Sequence, residues 1–318
     1  MKKINAEKFG KVAIICGGIS AEREVSLDSG RLVYKALVEY GIDAHLIDVY
    51  GENWSSQLSD LAKRSYDRVF NALHGGIGEN GAIQGLLDVL EIPYTGSGVI
   101  GSALCLDKIR SKMLWEQAGI PTPAYQTAFR GQNFAQRAQE IINVLGSNLF
   151  VKPANEGSSV AVHHVSSLPD LVAGLEHASQ YCEAILIEKA VKGKEYSLTL
   201  LGDLVLPIIR IVSANEFYDY HAKYVSDDTQ YLIPSGLSQS DEDKAFALSK
   251  KAFDVLAGRS WGRIDFMVDE NNELYFLEIN TAPGMTGHSL PPKAAQALGM
   301  SYGDLVIEIL AQTLNGND

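Results

Sequence analysis

Two acidic residues near the end of the chain, Asp265 and Glu278, could together hold a divalent cation. They lie in residues 262–285, whose pattern predicts two strands around a tight turn at residues 270–273, because Asn tolerates the positive φ that two-residue hairpin turns need. This turn sets Asp265 directly opposite Glu278, with Cβ atoms about 4.5–5.5 Å apart. Like charges at opposed positions are destabilising. We therefore expect a cation between the two carboxylates.

Neighbouring residues define what that cation could be. The register places Arg263 opposite Asn280, on the face of the two carboxylates. The other face should pack into the core, with Ile264, Phe266, Val268, Tyr275, Leu277 and Ile279. One interpretation of the charged face is structural, either a salt bridge to Arg263 or a solvated edge. The other is Mg²⁺ held by the two carboxylates and the Asn280 amide oxygen, since Mg²⁺ completes its shell with water and substrate phosphates. The second interpretation predicts a phosphate-binding apparatus elsewhere in the chain.

Lys152 and the loop at residues 157–159 have the composition of such an apparatus. They lie in "NLFVKPANEGSSVAVHHV", which predicts two strands joined by a Gly/Ser loop. Lysine meets phosphates as a point charge, and glycine lets backbone N–H groups approach an anion closely. Lys108, in a helix earlier in the chain, is a second candidate cation. The alternatives are an ordinary hairpin turn and a solvated lysine.

Other candidate ligands lie where predicted strands end. Glu188 and Lys189 end the apolar strand "AILIEK", and Glu195 follows seven residues after Glu188. A strand end followed by a bend offers backbone groups to a base and carboxylates to ribose hydroxyls. Glu22 and His74 follow two strand ends early in the chain, where together they could hold an ammonium group. Each has a structural alternative: a solvated glutamate, a carboxylate that stabilises a helix start, or a core histidine.

The order of strands and helices predicts an α/β fold. "KVAIICGG", a helix ending near Gly41, "DAHLIDVY" and "YDRVFNALHG" have the spacing of a parallel α/β unit, in which ligands bind at the carboxyl ends of strands. A long helix and a Pro-rich break follow, so we place the first domain boundary near residue 97. Residues 213–236 contain many aromatic residues without a clear period, which is typical of a lid or binding loop.

Composition limits the partners. The 318 residues are 46% hydrophobic and 21% charged, and the formal charge is −12. Nucleic-acid binding needs a basic footprint, so we expect no nucleic acid partner, and no window approaches a membrane span. Three scattered cysteines, Cys16, Cys105 and Cys182, fit a reducing compartment without a disulfide framework. We therefore expect a cytoplasmic protein.

Residues 96–101 match G-x-G-x-x-G, the dinucleotide fingerprint. The match is not in the first βα unit, and a helix stands where a second strand ending in an acidic residue should follow. A nicotinamide-dependent oxidoreductase is therefore a disfavoured alternative.

Taken in order, the segments resemble one family along nearly the whole chain. They are "GGISAEREVSLDSG", "ALHG", "GENGAIQGLL", "PYTGSG", "DKIRSK", "VKPANEGSSV", "LIEK", "FYDYHAKY", "TQYLIPSG", "GRIDFMVD" and "LEINTAPGMTGHSL". Their order and spacing resemble the D-alanine–D-alanine ligases of the ATP-grasp superfamily. The resemblance implies an N-terminal parallel α/β domain (residues 1–97) followed by two α+β domains (residues 98–187 and 188–318) that clamp ATP.

The same resemblance implies an activity. It is the ATP-dependent ligation of two D-alanines to D-alanyl-D-alanine through an acyl phosphate, with release of ADP and phosphate, for peptidoglycan precursor synthesis. It implies ATP with two Mg²⁺ ions, or Mn²⁺ in their place, and a cytoplasmic homodimer. The alternatives are a D-alanine–D-lactate type ligase, another ATP-grasp carboxylate–amine ligase and, as a non-enzyme, an inactive nucleotide-binding module.

Individual roles are also implied by the resemblance. The metal ligands would be Asp265, Glu278 and Asn280. ATP would be bound by Lys108, Lys152, Gly157, Ser158, Ser159, Glu188, Lys189, Ala190, Val191, Glu195 and Lys223. The catalytic residues would be Glu22, Ser158, Tyr224, Arg263 and Gly284, with residues 213–236 as the lid that carries Lys223 and Tyr224. The D-alanines would be bound by Glu22, His74, Arg263, Gly284, Ser289 and Leu290.

Four positions depart from the usual pattern of that family. Ala161 and Ile77 stand where Gly is common, Asn80 where Asp is common, and Ala282 where Ser is common. None of them has an implied chemical role. The departures therefore bear on loop mobility and kinetics, not on the type of reaction.

Overall fold

The structure is a computed structural model that describes residues 5–49, 54–63, 65–158, 160–213 and 229–315. Its first part confirms the predicted parallel α/β unit. Strands β1 (Lys11–Gly17), β2 (Asp43–Val49) and β3 (Arg68–Asn71) form a parallel sheet in the order β2-β1-β3. Helices α1 (Arg23–Glu39), α2 (Trp54–Ala62) and α3 (Ala82–Val89) accompany it. Strand β1 is an apolar run that is almost entirely buried, as a parallel strand covered on both faces must be.

The second part is an antiparallel sheet covered by two helices. Helices α4 (Val99–Leu106) and α5 (Lys108–Gln117) precede it. Its strands are β4 (Tyr125–Phe129), β5 (Leu149–Pro153), β6 (His163–Val165) and β7 (Ala184–Lys189), in the order β4-β7-β5-β6. Helices α6 (Phe134–Leu145) and α7 (Leu168–Ala178) bury their apolar faces in one cluster with this sheet. Strands β5 and β6 are the pair predicted around the Gly/Ser loop.

The third part is a larger sheet followed by two helices. Strands β8 (Gly193–Leu201), β9 (Leu204–Val205), β10 (Ile209–Val212), β11 (Gln230–Leu232), β12 (Trp261–Asp269) and β13 (Leu274–Asn280) form the order β11-β10-β8-β12-β13, with β9 paired to β8. Helix α8 (Gln239–Val255) lies between β11 and β12, and α9 (Leu290–Ala297) and α10 (Tyr302–Ala311) follow β13. Short 3₁₀ helices lie at Ala6–Phe9, Gly76–Gly78 and Gln312–Asn315.

Two helical regions pack against parts of the chain that are distant in sequence. Trp115 of α5 is buried in the cluster beneath the third sheet, although α5 precedes the second sheet. Leu305 of α10 is buried in one cluster with Val33 and Leu37 of α1, so the end of the chain returns to the first sheet. The predicted domain limits at residues 97 and 187 stay a prediction. In the ranges given above, no helix combines the length and the apolar character needed to cross a membrane.

The β12–β13 hairpin confirms the predicted pairing through a different local geometry. Arg263 pairs with Asn280 and Asp265 with Glu278, as predicted. The predicted two-residue turn is wrong, because the N–H of Asp269 donates to the carbonyl of Glu273 at 3.0 Å and leaves a three-residue loop. A register shift between Asp265 and Phe266 compensates for the extra loop residue and restores the pairing at the charged end.

This bulge also corrects the predicted core face. Leu274 and Phe276 are 1% and 0% exposed and take the core positions on β13, whereas Tyr275 and Leu277 are only partly buried. The large apolar rings of Phe266 and Phe276 pack in the core, which fixes the register near the loop. Leu277 is thereby turned towards the cavity that borders Asp265.

Candidate active site

Two cavities meet between the three parts of the chain. The larger, of about 760 Å³, lies between the second and third sheets. Among the residues that line it are Lys152, Glu188, Lys189, Val191, Glu195 and Asp265. The smaller is lined by Glu22, His74, Arg263, Asn280 and Gly284, among others. Lys108, Gly157 and Glu278 line both cavities. The structure thus separates most of the predicted nucleotide ligands from the predicted amino-acid ligands and joins the two sets at one point.

Each carboxylate of the hairpin has its own cation. Arg263 binds Asp265 with Nε at 3.0 and 3.1 Å from the two carboxylate oxygens and Nη2 at 2.8 Å from Oδ2. Lys108 Nζ lies 3.3 Å from Glu278 Oε2 and donates to the carbonyl of Glu156 at 2.7 Å. The salt-bridge interpretation of Arg263 is therefore the arrangement present in the structure.

Oxygen donors still converge on this face. Ser197, which was not predicted, donates to Asp265 Oδ1 at 2.7 Å, and the Asn280 amide lies 3.3 Å from Asp265 Oδ2. In the described part of the chain, no group of three or more His, Cys, Asp or Glu side chains is arranged to hold a metal ion. A metal here would depend on two carboxylates, an amide oxygen and ligands from outside the protein.

Glu188 lies between two lysines. Its carboxylate forms ion pairs with Lys152 and with Lys112, whose Nζ is 2.9 Å from Oε2. Burial would raise the pKa of Glu188, but the two ammonium groups overcome this effect and lower that pKa to about 2. Sequence reasoning missed Lys112. The signal was its position four residues after Lys108 in "DKIRSK", which places both lysines on one face of α5.

The Gly/Ser loop reaches the first domain through Glu22. The Ser158 hydroxyl donates to Glu22 Oε1. Glu22 as a whole residue is 9% exposed. A Cβ on Gly157 would lie 2.8 Å from Glu22 Oε2, so a larger residue there would push the carboxylate end of Glu22 aside. Ala161 has φ of 51°, a left-handed conformation that costs an L-residue about 1 kcal/mol more than glycine. This explains why glycine would suit that position.

His74 is held in one tautomer by residues that are far away in sequence. Its Nδ1 lies 2.9 Å from the carbonyl of Ala282, which can only accept, so Nδ1 carries the proton. Its Nε2 accepts from Ser29 Oγ at 3.0 Å, and Ser29 Oγ accepts from the N–H of Met285 at 3.1 Å. Burial lowers the pKa of His74, against the opposing effect of Glu22. A neutral His74 thus positions the loop that carries Gly284.

Glu79 is a buried carboxylate that sequence reasoning missed. It accepts from the N–H of Gly75 at 3.0 Å and from the N–H of Ala282 at 3.3 Å. Burial, followed by the charge of Glu22, raises the pKa of Glu79 to about 8. The sequence feature that could have indicated Glu79 is an acidic residue in the glycine-rich segment "GGIGENG".

The remaining predicted residues have mixed positions. Ser289 Oγ accepts from the N–H of Thr286 at 3.0 Å, close to Gly284. Leu290 begins α9 and its side chain is buried in the core, so only its backbone could contact a ligand. The N–H of Ala190 donates to the carbonyl of Asn148 at 3.0 Å. Ser159, Lys223 and Tyr224 lie outside the described residues.

Two antiparallel lobes that close on a cavity of lysines and carboxylates, beside a parallel α/β domain, define an ATP-grasp protein. Two family models match the chain: D-ala D-ala ligase C-terminus over residues 114–311 and D-ala D-ala ligase N-terminus over residues 52–97. The D-alanine–D-alanine ligases of Burkholderia vietnamiensis and Burkholderia cenocepacia are each 55% identical over 316 residues, which is 99% of this chain and 100% of theirs. The chain therefore belongs to the D-alanine–D-alanine ligase family.

Solved structures agree with this assignment. The D-alanine–D-alanine ligase of Bacillus anthracis superposes with a TM-score of 0.84 at 33% identity, over 96% of this chain and 98% of that one. A second structure of that ligase, complexed with ATP, gives a TM-score of 0.84 at 31% identity over the same shares. The predicted fold class is confirmed.

Proposed function

We propose that this protein ligates two D-alanine molecules to D-alanyl-D-alanine with ATP, releasing ADP and phosphate. The observation that carries the proposal is the meeting of the two cavities at Lys108, Gly157 and Glu278. A phosphoryl group at the end of the larger cavity would there face a carboxylate in the smaller one. Membership in the ligase family supports the same reaction.

ATP would occupy the larger cavity. Its volume of about 760 Å³ is within the usual range for small-molecule sites. Lys108 and Lys152 supply positive charge for the phosphates, and the loop at Gly157 supplies backbone N–H groups. Lys189, Val191 and Glu195 line the same cavity and would contact the base and ribose, as the family resemblance implies.

The charged face of the hairpin fits divalent metal ions. Asp265, Glu278 and Asn280 provide hard oxygen donors, which suit Mg²⁺ or Mn²⁺ that also bind phosphate oxygens and water. When bound, such ions neutralise charge on the transferring phosphoryl group. Two such ions would be held by these three side chains together with the phosphates of ATP.

The substrates would bind at the residues that line the smaller cavity, whose volume of about 30 Å³ would have to increase to admit them. Glu22 would bind the ammonium group of the first D-alanine, whose carboxylate oxygen attacks the γ-phosphorus of ATP while ADP leaves. The amine of the second D-alanine then attacks the acyl carbon of this acyl phosphate, and phosphate leaves. Arg263 and the N–H of Gly284 would stabilise the oxyanion that forms in this step. Ser289 and the backbone of Leu290 would receive the carboxylate of the second D-alanine.

Water must be excluded, because it would hydrolyse the acyl phosphate. Residues 213–236, with Lys223 and Tyr224, are the predicted lid for this purpose. Residues 214–228 and Ser159 lie outside the described residues, so their roles stay predictions. We also propose a homodimer located in the cytoplasm, where the dipeptide would enter peptidoglycan precursor synthesis.

The test is a coupled assay of ADP release with ATP and Mg²⁺. We expect ADP and dipeptide to appear with D-alanine, and neither to appear with L-alanine as the matched control. D-Lactate and other D-amino acids in place of the second D-alanine test the alternative ligases. ADP release that does not depend on D-alanine, or binding of ATP without turnover, would contradict the proposal.

A further inference from the structure

Lys112 is a charged residue that none of the proposed steps uses. Its residue exposure is 0%, and a lysine is almost never fully buried unless it is paired. Its Nζ lies 2.9 Å from Glu188 Oε2 and donates to Thr122 Oγ1 at 2.6 Å. The Thr122 hydroxyl in turn donates to the carbonyl of Phe276 at 2.9 Å. Lys112 has no surface in either cavity, so it cannot touch a ligand.

Lys112 changes the charge that Lys152 presents. Lys152 lines the larger cavity and donates to Glu188 Oε1. Lys152 and Glu188 alone would form a closed pair with no net charge. With Lys112 ionised on the other oxygen of Glu188, the cluster carries one net positive charge; Lys152 and Glu188 border the cavity, and Lys112 lies behind them, outside its lining. The attraction of Lys152 for an anion therefore depends on Lys112.

Lys112 also fixes where this charge lies. It belongs to α5, whose Trp115 packs beneath the third sheet, and its hydrogen-bond chain through Thr122 ends on Phe276 of β13. Glu188 and Lys152 belong to the second sheet. The cluster thus spans both lobes of the nucleotide cavity, and it holds Lys152 at a set position relative to the β12–β13 hairpin.

We propose that Lys112 is a positioning residue for the phosphates of ATP. It neutralises and orients Glu188, so that Lys152 keeps its charge available to the nucleotide. The inference rests on the proposed function, because it assumes that the larger cavity binds a nucleotide triphosphate.

The test compares ATP with adenosine, which lacks the phosphates. The measured quantity is the ratio of the two dissociation constants, obtained by calorimetry with the intact protein. Lys112→Met keeps an unbranched side chain but removes the charge. We expect Lys112→Met to lower the preference for ATP over adenosine roughly 10- to 100-fold, which corresponds to the free energy of one hydrogen bond to a charged group. The dissociation constant of adenosine should stay within about twofold of the wild-type value. Thr122→Val is the matched control, because it removes the hydroxyl that ties Lys112 to Phe276 but no charge, and it should lower the ratio less than Lys112→Met does, by roughly 2- to 5-fold.

A double-mutant cycle separates the action of Lys112 on Glu188 from simple packing. Lys112→Met is made in the Glu188→Gln background and compared with Glu188→Gln alone, so that any direct effect of Glu188 on ATP is present in both proteins. In this background we expect Lys112→Met to lower the ratio no more than about threefold, because the carboxylate that Lys112 neutralises is gone. If Lys112→Met does not fold, Lys112→Gln keeps a polar end and carries the same expectation.

Three results would overturn the inference: a neutral substitution of Lys112 that leaves the ratio unchanged, equal weakening of ATP and adenosine, or an effect of Lys112→Met that is as large with Glu188→Gln as without it. A wild-type protein that binds ATP no better than adenosine would instead contradict the proposed function. The two failures are therefore distinguishable.

Discussion

Gly101→Ala tests whether the G-x-G-x-x-G match is a nucleotide site or a packing requirement. Gly101 lies in α4 and is buried. A Cβ added there would overlap the carbonyl oxygen of Ala257, would lie 2.9 Å from its carbonyl carbon and would be 3.1 Å from the Cβ of Ser97. Ala257 follows the end of α8. The glycine therefore lets α4 approach the end of another helix closely.

Two opposing effects determine the size of the change. Alanine in a helix interior is about 1 kcal/mol more favourable than glycine. Overpacking of a buried site typically costs about 1–3 kcal/mol, and the upper part of this range applies because the obstacle is backbone and not a flexible side chain. We expect a net loss of about 1–2 kcal/mol in the free energy of unfolding. Each kcal/mol lost should lower Tm by roughly 2–4 °C.

Gly85→Ala in α3 is the matched control. Its added Cβ would meet only Val99 Cγ2 at 3.7 Å, an ordinary contact. The helix-propensity effect then acts alone, and we expect this variant to gain about 0.5–1 kcal/mol. The assay is urea unfolding and thermal melting of both variants, with NADH titrated into the wild type by fluorescence.

The outcome separates the two interpretations. Destabilisation by Gly101→Ala, stabilisation by Gly85→Ala and no NADH binding would support the packing role. Equal stabilisation by both substitutions would refute the overlap with Ala257. Binding of NADH by the wild type that Gly101→Ala abolishes would restore the dinucleotide interpretation.

Four further substitutions test the site. Glu278→Gln should abolish Mg²⁺-dependent ADP release with an unchanged circular dichroism spectrum, and near-normal turnover at saturating Mg²⁺ would refute the metal assignment. Arg263→Lys should lower kcat by roughly 10²–10³-fold, because a point charge cannot reproduce the planar guanidinium; a wild-type kcat would leave Arg263 only as the partner of Asp265. Tyr224→Phe should weaken binding of the second D-alanine roughly 2- to 13-fold through loss of one neutral hydrogen bond. It should also allow some D-lactate ester to form at low pH. The measurement is the ratio of ester to dipeptide from mixed D-lactate and D-alanine, compared with the wild type. Glu79→Gln should change the pH dependence of stability. Between its ordinary pKa of 4.5 and its raised pKa of about 8, Glu79 keeps a proton in the folded protein that the unfolded chain has released, so the wild type loses stability as pH rises through this window. The variant should lose less, and parallel curves of unfolding free energy against pH would contradict the raised pKa.

Local patterns in the sequence determined much of the site. The alternation and turn residues in residues 262–285 predicted that Asp265 faces Glu278, and the structure has this pair, although a three-residue loop and a register shift that were not predicted combine to give it. Lys152 was likewise predicted at the end of a strand, and the Gly/Ser loop between that strand and the next; these strands are β5 and β6. Such predictions succeed because strand alternation and loop chemistry depend on neighbours within a few residues.

Only the tertiary structure decided which charged groups are buried and what they contact. His74 meets Ala282 across 208 residues, Glu79 meets the same residue across 203, and Lys152 meets Glu188 across 36. The register shift on β13 follows from packing of Phe276, and it turns Leu277 from the predicted core to the cavity. Burial raises the cost of an unpaired charge, so the partner of Lys112 is set by whichever carboxylate the fold brings beside it. That proximity arises from the packing of α5 and two separate sheets, which no local pattern in "DKIRSK" encodes.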